Sequence, residues 1–167
     1  MIQTTHKQKI LISACLTGEK VRYNGTDLLI EHPLLKQWHS NGRLVSVCPE
    51  VTGGMSTPRA PAEIINGNGE TVLSRQTTVV NNIGEDVTQA FILGAQETLQ
   101  IAKENHCIAA ILTEHSPSCG SNMIYDGSFS DQRTKGMGVT TALLEQHNIR
   151  VFNQEQIEQL ALYLKKT

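Results

Sequence analysis

The sequence predicts an α/β protein: a single three-layer α/β/α (Rossmann-like) domain with a mainly parallel sheet and a small β-hairpin insertion. Three observations carry that prediction. Short apolar runs of strand length alternate with amphipathic helical stretches along the chain, the pattern of a parallel sheet covered on both faces. The 167 residues suffice for one hydrophobic core, and no Pro/Ser-rich or charge-rich stretch marks off a second domain, so residues 1–167 read as one unit. Finally, Cys15, Cys48 and Cys119 each follow a strand-like run and precede chain breakers. In a parallel sheet those three positions share the carboxyl edge, where open α/β sheets keep their ligands.

The elements follow in order. Residues 9–12, Lys-Ile-Leu-Ile, form a first strand that leads to Cys15 and a loop through Gly18, Arg22, Tyr23, Asn24 and Gly25, expected to lie over the site. A short helix over 33–40 starts on Pro33, carries Leu34, Leu35 and Trp38 on one side, and stops at Asn41-Gly42. The strand at 43–47 then delivers Cys48. Residues 51–61 hold too many breakers for regular structure and read as a long loop on the same face. A hairpin follows, with strands at 63–65 and 71–73 around a turn at 66–69, expected as an appendage.

Asp86 with Gln89 suggests a capping box, and Val87, Phe91, Ala95, Leu99 and Ala102 form a helical stripe running to about Asn105. The apolar run at 108–112 is the strand before Ser116-Pro117-Ser118-Cys119-Gly120. Residues 123–129 read as turn-rich. Gly136-Met137-Gly138 leads into a helix over 139–147 that Asn148 ends, and it lacks the remainder of a dinucleotide-binding glycine fingerprint. A last strand at 149–152 precedes Asn153, a cap for a helix bearing Ile157, Leu160, Ala161 and Leu164.

Charge narrows the partners. The net charge of -2 arises from 14 basic and 16 acidic residues spread along the chain, which argues against long nucleic acids and anionic membranes. No run of eighteen apolar residues exists and the first residues lack the apolar segment of a leader, so a cytoplasmic protein is expected. Four cysteines in a reducing compartment then point to metal binding or catalysis, not to disulfides.

A single free cysteine is often only a small buried hydrophobe. Cys107, at the other end of its strand, takes that structural reading. Three converging thiolates instead suit a soft metal, either tetrahedral zinc with a fourth ligand or an iron–sulfur cluster, and spacing alone does not choose between them. A three-thiolate site leaves an open position for substrate.

The motifs as a set resemble one family. Ile12-Ser13-Ala14-Cys15-Leu16 with Val21-Arg22-Tyr23, then Cys48-Pro49-Glu50-Val51 with Thr57-Pro58-Arg59 and Pro61-Ala62-Glu63-Ile64, are similar to the DUF523 family, which includes the thiouracil desulfurases. The likeness continues through Gly84-Glu85-Asp86, Ser116-Pro117-Ser118-Cys119-Gly120, Ile124-Tyr125-Asp126-Gly127 and Gly138-Val139-Thr140, nearly the whole chain. Asn24 and Thr113 depart from an expected acidic and an expected basic residue, and Met55-Ser56 from Leu-Pro.

The resemblance implies a [4Fe-4S] cluster held by Cys15, Cys48 and Cys119, with a fourth iron free to bind the sulfur of a small thiolated base such as 2-thiouracil. Desulfuration would then proceed without net electron transfer. Glu50 becomes a candidate to activate water or shuttle a proton, and Ser116 to orient water or substrate. Arg22, Tyr23, Arg59 and Ser118 are candidate substrate contacts. Cellular iron–sulfur assembly machinery is the implied protein partner. Each role has a plainer counterpart: Glu50 could cap a helix or pair with Arg59, and Ser116 could stabilise the turn at Pro117. His115, beside the motif, is the one histidine with a position of interest. Two rival functions are a cluster-free cysteine persulfide sulfurtransferase and a zinc-stabilised nucleotide-binding module without turnover.

Overall fold

A computed structural model describes residues 7–167; residues 1–6, on which the expectation about a leader falls, lie outside them. In chain order the elements are β1 (Lys9–Ser13), α1 (Pro33–Ser40), β2 (Leu44–Val47), α2 (Pro49–Thr52), β3 (Ala62–Ile65), α3 (Gly69–Leu73), β4 (Thr78–Asn81), α4 (Thr88–Glu104), β5 (Cys107–Ile111), β6 (Met123–Tyr125), β7 (Arg133–Lys135), α5 (Val139–Gln146), β8 (Arg150–Phe152) and α6 (Ile157–Lys166). A short 3-10 turn, Ala14–Thr17, follows β1.

The central sheet has the order β2-β1-β5-β8 with every pair parallel. Side chains alternate between its faces, as the period of two demands. Ile10, Ile12, Ile111 and Phe152 pack with Leu35 and Trp38 of α1 and Ile157 and Leu160 of α6. Leu11, Ala110 and Val151 face the other way, onto Leu99 and Ala102 of α4 and Leu144 of α5. The expected three-layer architecture is therefore present. The chain enters at β1, moves out to β2, and crosses to β5 on the far side of β1. The carboxyl ends of β1 and β5 thus form a switch point, where diverging connections open a crevice.

Several local expectations need correction. Residues 71–73 are helical: Asn68 caps α3 by accepting from Thr71 N at 3.1 Å while Thr71 Oγ1 accepts from Asn68 N at 3.0 Å. This reciprocal capping box outweighs the strand preference of Thr71 and Val72. The true partner of β3 is β4, antiparallel. Nor is this hairpin an appendage, because Ile64, Val72 and Val79 form a core with Phe91, Ile92 and Ala95 of α4 and Val139 of α5. The loop read over 51–61 begins inside one helical turn, α2. Residues 123–129, read as turns, contain β6, which pairs antiparallel with β7. Asp86 makes a local turn instead of a capping box, its Oδ1 accepting from Thr88 N, and α4 starts one residue later without a side-chain cap. Asn153 likewise sits ahead of Gln156, the residue at the start of α6, and its Oδ1 accepts from Glu155 N.

Two close backbone approaches set the site. Gly53 and Gly94 let α2 lie on α4: a Cβ at Gly94 would stand 2.1 Å from Pro49 O, and one at Gly53 2.3 Å from Ala90 O. Gly138 lets the start of α5 meet the cysteine loop, since a Cβ there would stand 2.5 Å from the Ser118 carbonyl carbon.

Candidate metal centre

Each cysteine reaches the carboxyl edge of the sheet by a different device. Cys15 lies in the 3-10 turn after β1, and its carbonyl accepts from Leu28 N at 2.9 Å, folding the 18–30 loop back over the edge. Cys48 is the residue before Pro49, which starts α2, so its thiol stands at the first turn of a helix docked on α4. Cys119 comes from a longer excursion, since β5 ends at Ile111 and the chain loops out and back before the cysteine.

That excursion is held from one side by α5. Val139 N donates to Pro117 O at 2.8 Å, Thr140 N to Ser118 O at 2.9 Å, and Thr141 Oγ1 to Cys119 O at 2.8 Å. The free amides of a helix start are therefore taken up by loop carbonyls. Within the loop, Ser116 Oγ accepts from Cys119 N at 2.8 Å and Gly120 N donates to Ser116 O at 3.0 Å.

The three thiols line one cavity of about 580 Å³. Cys15 and Cys119 are buried and Cys48 is half-buried. Burial, the largest influence, raises all three above the ordinary thiol value, and Cys119 is pushed up to about 12. They also feel one another: a charge on Cys48 raises Cys15, and charges on Cys48, Glu50 and Cys15 raise Cys119. Ser13 and Thr113 bridge the β1 and β5 sides. Thr113 N donates to Ser13 Oγ at 2.9 Å, and the Thr113 hydroxyl lies 2.9 Å from Cys15 Sγ.

Most of the other expected site residues share this cavity. Arg22, Tyr23, Glu50, Arg59 and Ser116 line it, as does His115. Arg59 and Glu50 form an ion pair of 3.0 Å whose side chains are only 5% and 17% exposed, the plainer reading of Glu50. Arg59 also donates to Val21 O at 3.0 Å and to Ser56 O and Thr57 Oγ1 at 3.2 Å, so its guanidinium ties the loops that carry Cys15 and Cys48. Ser118, at 1% exposure, stands behind the wall, with its Oγ 3.5 Å from Cys119 Sγ and 3.2 Å from Ser116 Oγ. Cys107 is buried at the opposite end of β5, outside the cavity.

Sequence reasoning missed Glu63, Glu114, Tyr125 and Arg133 on the cavity wall. Tyr125 and Arg133 come from β6 and β7, the hairpin that was not recognised, with the Arg133 guanidinium 5.6 Å from the Tyr125 ring centre. The family-like segment Ile124-Tyr125-Asp126-Gly127 was the available signal. Glu63 accepts from Gly127 N at 3.0 Å and from Phe129 N at 3.3 Å, binding that hairpin's loop to β3.

The donor set can be tested against a metal group. Among the described residues no three His, Cys, Asp or Glu side chains are gathered closely enough to hold a single ion. Three soft sulfur donors lining one cavity suit an iron–sulfur cluster by their chemistry, and a polynuclear cation would offset the cost of ionising buried thiols.

Residues 10–156 match the family model for 2-thiouracil desulfurase. The uncharacterized protein YbbK of Bacillus subtilis is 46% identical over 151 residues, spanning 90% of this chain and 99% of that protein. Among solved structures, the [4Fe-4S]-dependent thiouracil desulfidase TudS superposes with a TM-score of 0.88 at 43% identity, covering 96% of this chain and all of that one.

Proposed function

This chain belongs to the 2-thiouracil desulfurase family, and from that premise we propose that it is a [4Fe-4S]-dependent desulfurase that converts 2-thiouracil or a related thiobase to the oxo compound and hydrosulfide. The observation that carries the reading is the gathering of Cys15, Cys48 and Cys119 around one cavity that Glu50 and Ser116 also line. Those three thiolates would hold the cluster, which would supply Lewis acidity and an affinity for the thiocarbonyl sulfur.

The rest of the chemistry falls to the chain. In the balanced reaction a water oxygen replaces sulfur on the ring carbon, hydrosulfide leaves, and one proton is released. Glu50 accepts that proton at Oε1 while Oε2 is held by Arg59 at 3.0 Å. Ser116 Oγ accepts from Cys119 N and shares a 3.2 Å hydrogen bond with Ser118 Oγ; turned from Ser118 towards the cavity, its proton donates to water or substrate oxygen. Arg22 and Tyr23, on the loop folded over Cys15, contact the base. Arg59 acts on it through Glu50, and Ser118 through Cys119 and Ser116. Residues 1–167 act as one catalytic domain. Free thiols at all four cysteines support a reducing, cytoplasmic setting in which iron–sulfur assembly machinery loads the site. The substrate is a small thiolated base, with neither nucleic acid polymer nor membrane as partner.

Anaerobic reconstitution with iron and sulfide, followed by iron and sulfide quantitation, a visible spectrum and incubation with 2-thiouracil, tests this directly. The expected result is a brown protein with about four irons per chain that releases uracil and sulfide. A protein that stays colourless, or takes up zinc in place of iron, would overturn the reading.

A further inference from the structure

We propose that Glu114 is a positioning residue of this site: its carboxylate closes the neck of the loop that presents Cys119, beside the single backbone bridge between His115 and Ile124. The inference rests on Cys119 being a ligand, but the contacts that motivate it are independent of any bound group.

The loop leaves β5 at Leu112 and returns at Met123, the first residue of β6. Glu114 stands on the outgoing limb and gathers the returning one. Its Oε1 accepts from the backbone N–H groups of Ser121 at 2.8 Å, Asn122 at 3.1 Å and Met123 at 3.3 Å, and from its neighbour His115 at 3.3 Å. Its Oε2 accepts from Ser121 Oγ at 3.1 Å, Asn122 Nδ2 at 3.2 Å and Asn153 Nδ2 at 2.7 Å. Asn153 follows β8, and Glu114 N donates to Gln154 Oε1 at 2.9 Å, so the neck is also tied to the sheet edge beyond β5.

Consecutive backbone N–H groups turned on one point make a nest for an anion. Here the anion is internal, and no cation pairs with it among the described residues. Burial would raise the Glu114 carboxyl, but the donors, led by Asn122 N, Asn153 and Ser121 N, outweigh it and hold the group down at about 2. Seven donors share its two oxygens, so both are taken up by the loop neck and Glu114 is a poor choice of base. The two sides of the loop then divide: α5 takes the carbonyls at 117–119, and Glu114 takes the amides at 121–123. Without the carboxylate the amides of 121–123 lose this acceptor, and the neck is left to the His115–Ile124 bridge while α5 and Ser116 hold residues 117–120.

The test uses the apoprotein under reducing conditions, with iodoacetamide alkylation of Cys119 and Cys107 read separately by peptide mass spectrometry. Cys107 is the internal control, since it is buried on the same strand away from the neck. For Glu114→Ala, Cys119 alkylation is expected to rise about tenfold through local opening while Cys107 stays constant. Because Glu114 lines the cavity, the vacated nest is open to solvent, and added formate is expected to bring the Cys119 rate back towards wild type. Iron uptake on reconstitution should fall with the same variant and recover with formate. If Glu114→Ala does not fold, Asn153→Ala removes the 2.7 Å donor and should give the same selective change at smaller size.

Equal increases at both cysteines would mean general loosening and would overturn the proposal. So would an unchanged Cys119 rate with full iron uptake. If wild-type protein takes up no iron, the desulfurase reading fails, whereas the alkylation ratio still decides for or against Glu114.

Discussion

Cys107 opens β5 and Cys119 lies on the loop beyond its carboxyl end, and both are buried thiols whose proton affinity is raised, to about 11 and about 12 against an ordinary 9.0. Burial is the largest cause in each case. Their company differs. Among the described residues Lys9 is the charged group that acts on Cys107, and it lowers the value. Cys119 feels Cys48, Glu50 and Cys15, all of which raise it once ionised. A buried thiol among apolar neighbours is an inert packing element, whereas one that must share a cavity with two other thiols and a carboxylate is stable as a thiolate only beside a cation. The amino end of β5 is built for packing, whereas the carboxyl end gathers the three thiols and the carboxylate that the proposed cluster site calls for.

The largest effect that separates the two ends is substitution of the cysteines themselves. Cys119→Ser should abolish uracil formation and leave little iron on the reconstituted protein. Cys107→Ala should keep full iron content and turnover while costing about 1 kcal/mol in urea unfolding, the usual size for a small core truncation. Equal iron content in the two variants would break the comparison.

Next in size is the carboxylate at the carboxyl end. Glu50→Gln should lower turnover by about 10²–10⁴-fold, the range for loss of a general base, with iron content unchanged. Because Arg59 would then face a neutral amide in place of its 3.0 Å carboxylate partner, a parallel Arg59→Gln variant separates positioning from proton transfer: it should keep part of the rate and shift the pH profile. Ser116→Ala has a smaller expected effect of about tenfold on kcat. It also removes the acceptor of Cys119 N and should cost the apoprotein about 1–3 kcal/mol, as for an orphaned buried amide. Wild-type kcat in the Ser116 variant would leave that hydroxyl a purely structural role.

How far this contrast was legible in the sequence depended on how local its causes are. The parallel strands were readable because β1, β2 and β5 are apolar runs closed by breakers, and α1 ran over residues 33–40 as its Pro33 and Asn41-Gly42 signals predicted. The second strand of the hairpin was misplaced because Thr71 and Val72 look like strand residues, while the capping box from Asn68 decides for a helix. β6 and β7 have only three residues each, and Arg133, Thr134 and Lys135 are all exposed, so no apolar alternation marks them. The cysteines could be placed by their positions after strands. Glu114 could not, since its partners are backbone amides seven to nine residues ahead and a side chain at 153, and no residue pattern encodes amide direction.

The smallest expected effect concerns acid. Glu114 has a folded value of about 2 against an ordinary 4.5, so it contributes stability that is present above 4.5 and is lost as the pH falls towards 2. The contribution is modest because the carboxylate lines an open cavity and its field is screened by solvent. In urea unfolding of the apoprotein, wild type should therefore exceed Glu114→Gln at neutral pH, and the gap should close through that acid window. β5 itself is held by ladder hydrogen bonds to β1 and β8, so amide exchange in the same window should accelerate at 119–123 before it does along β5. A gap that stays constant from neutral pH to acid would show that the Glu114 charge plays no part, and the amide side of the Cys119 loop would then be held by shape alone.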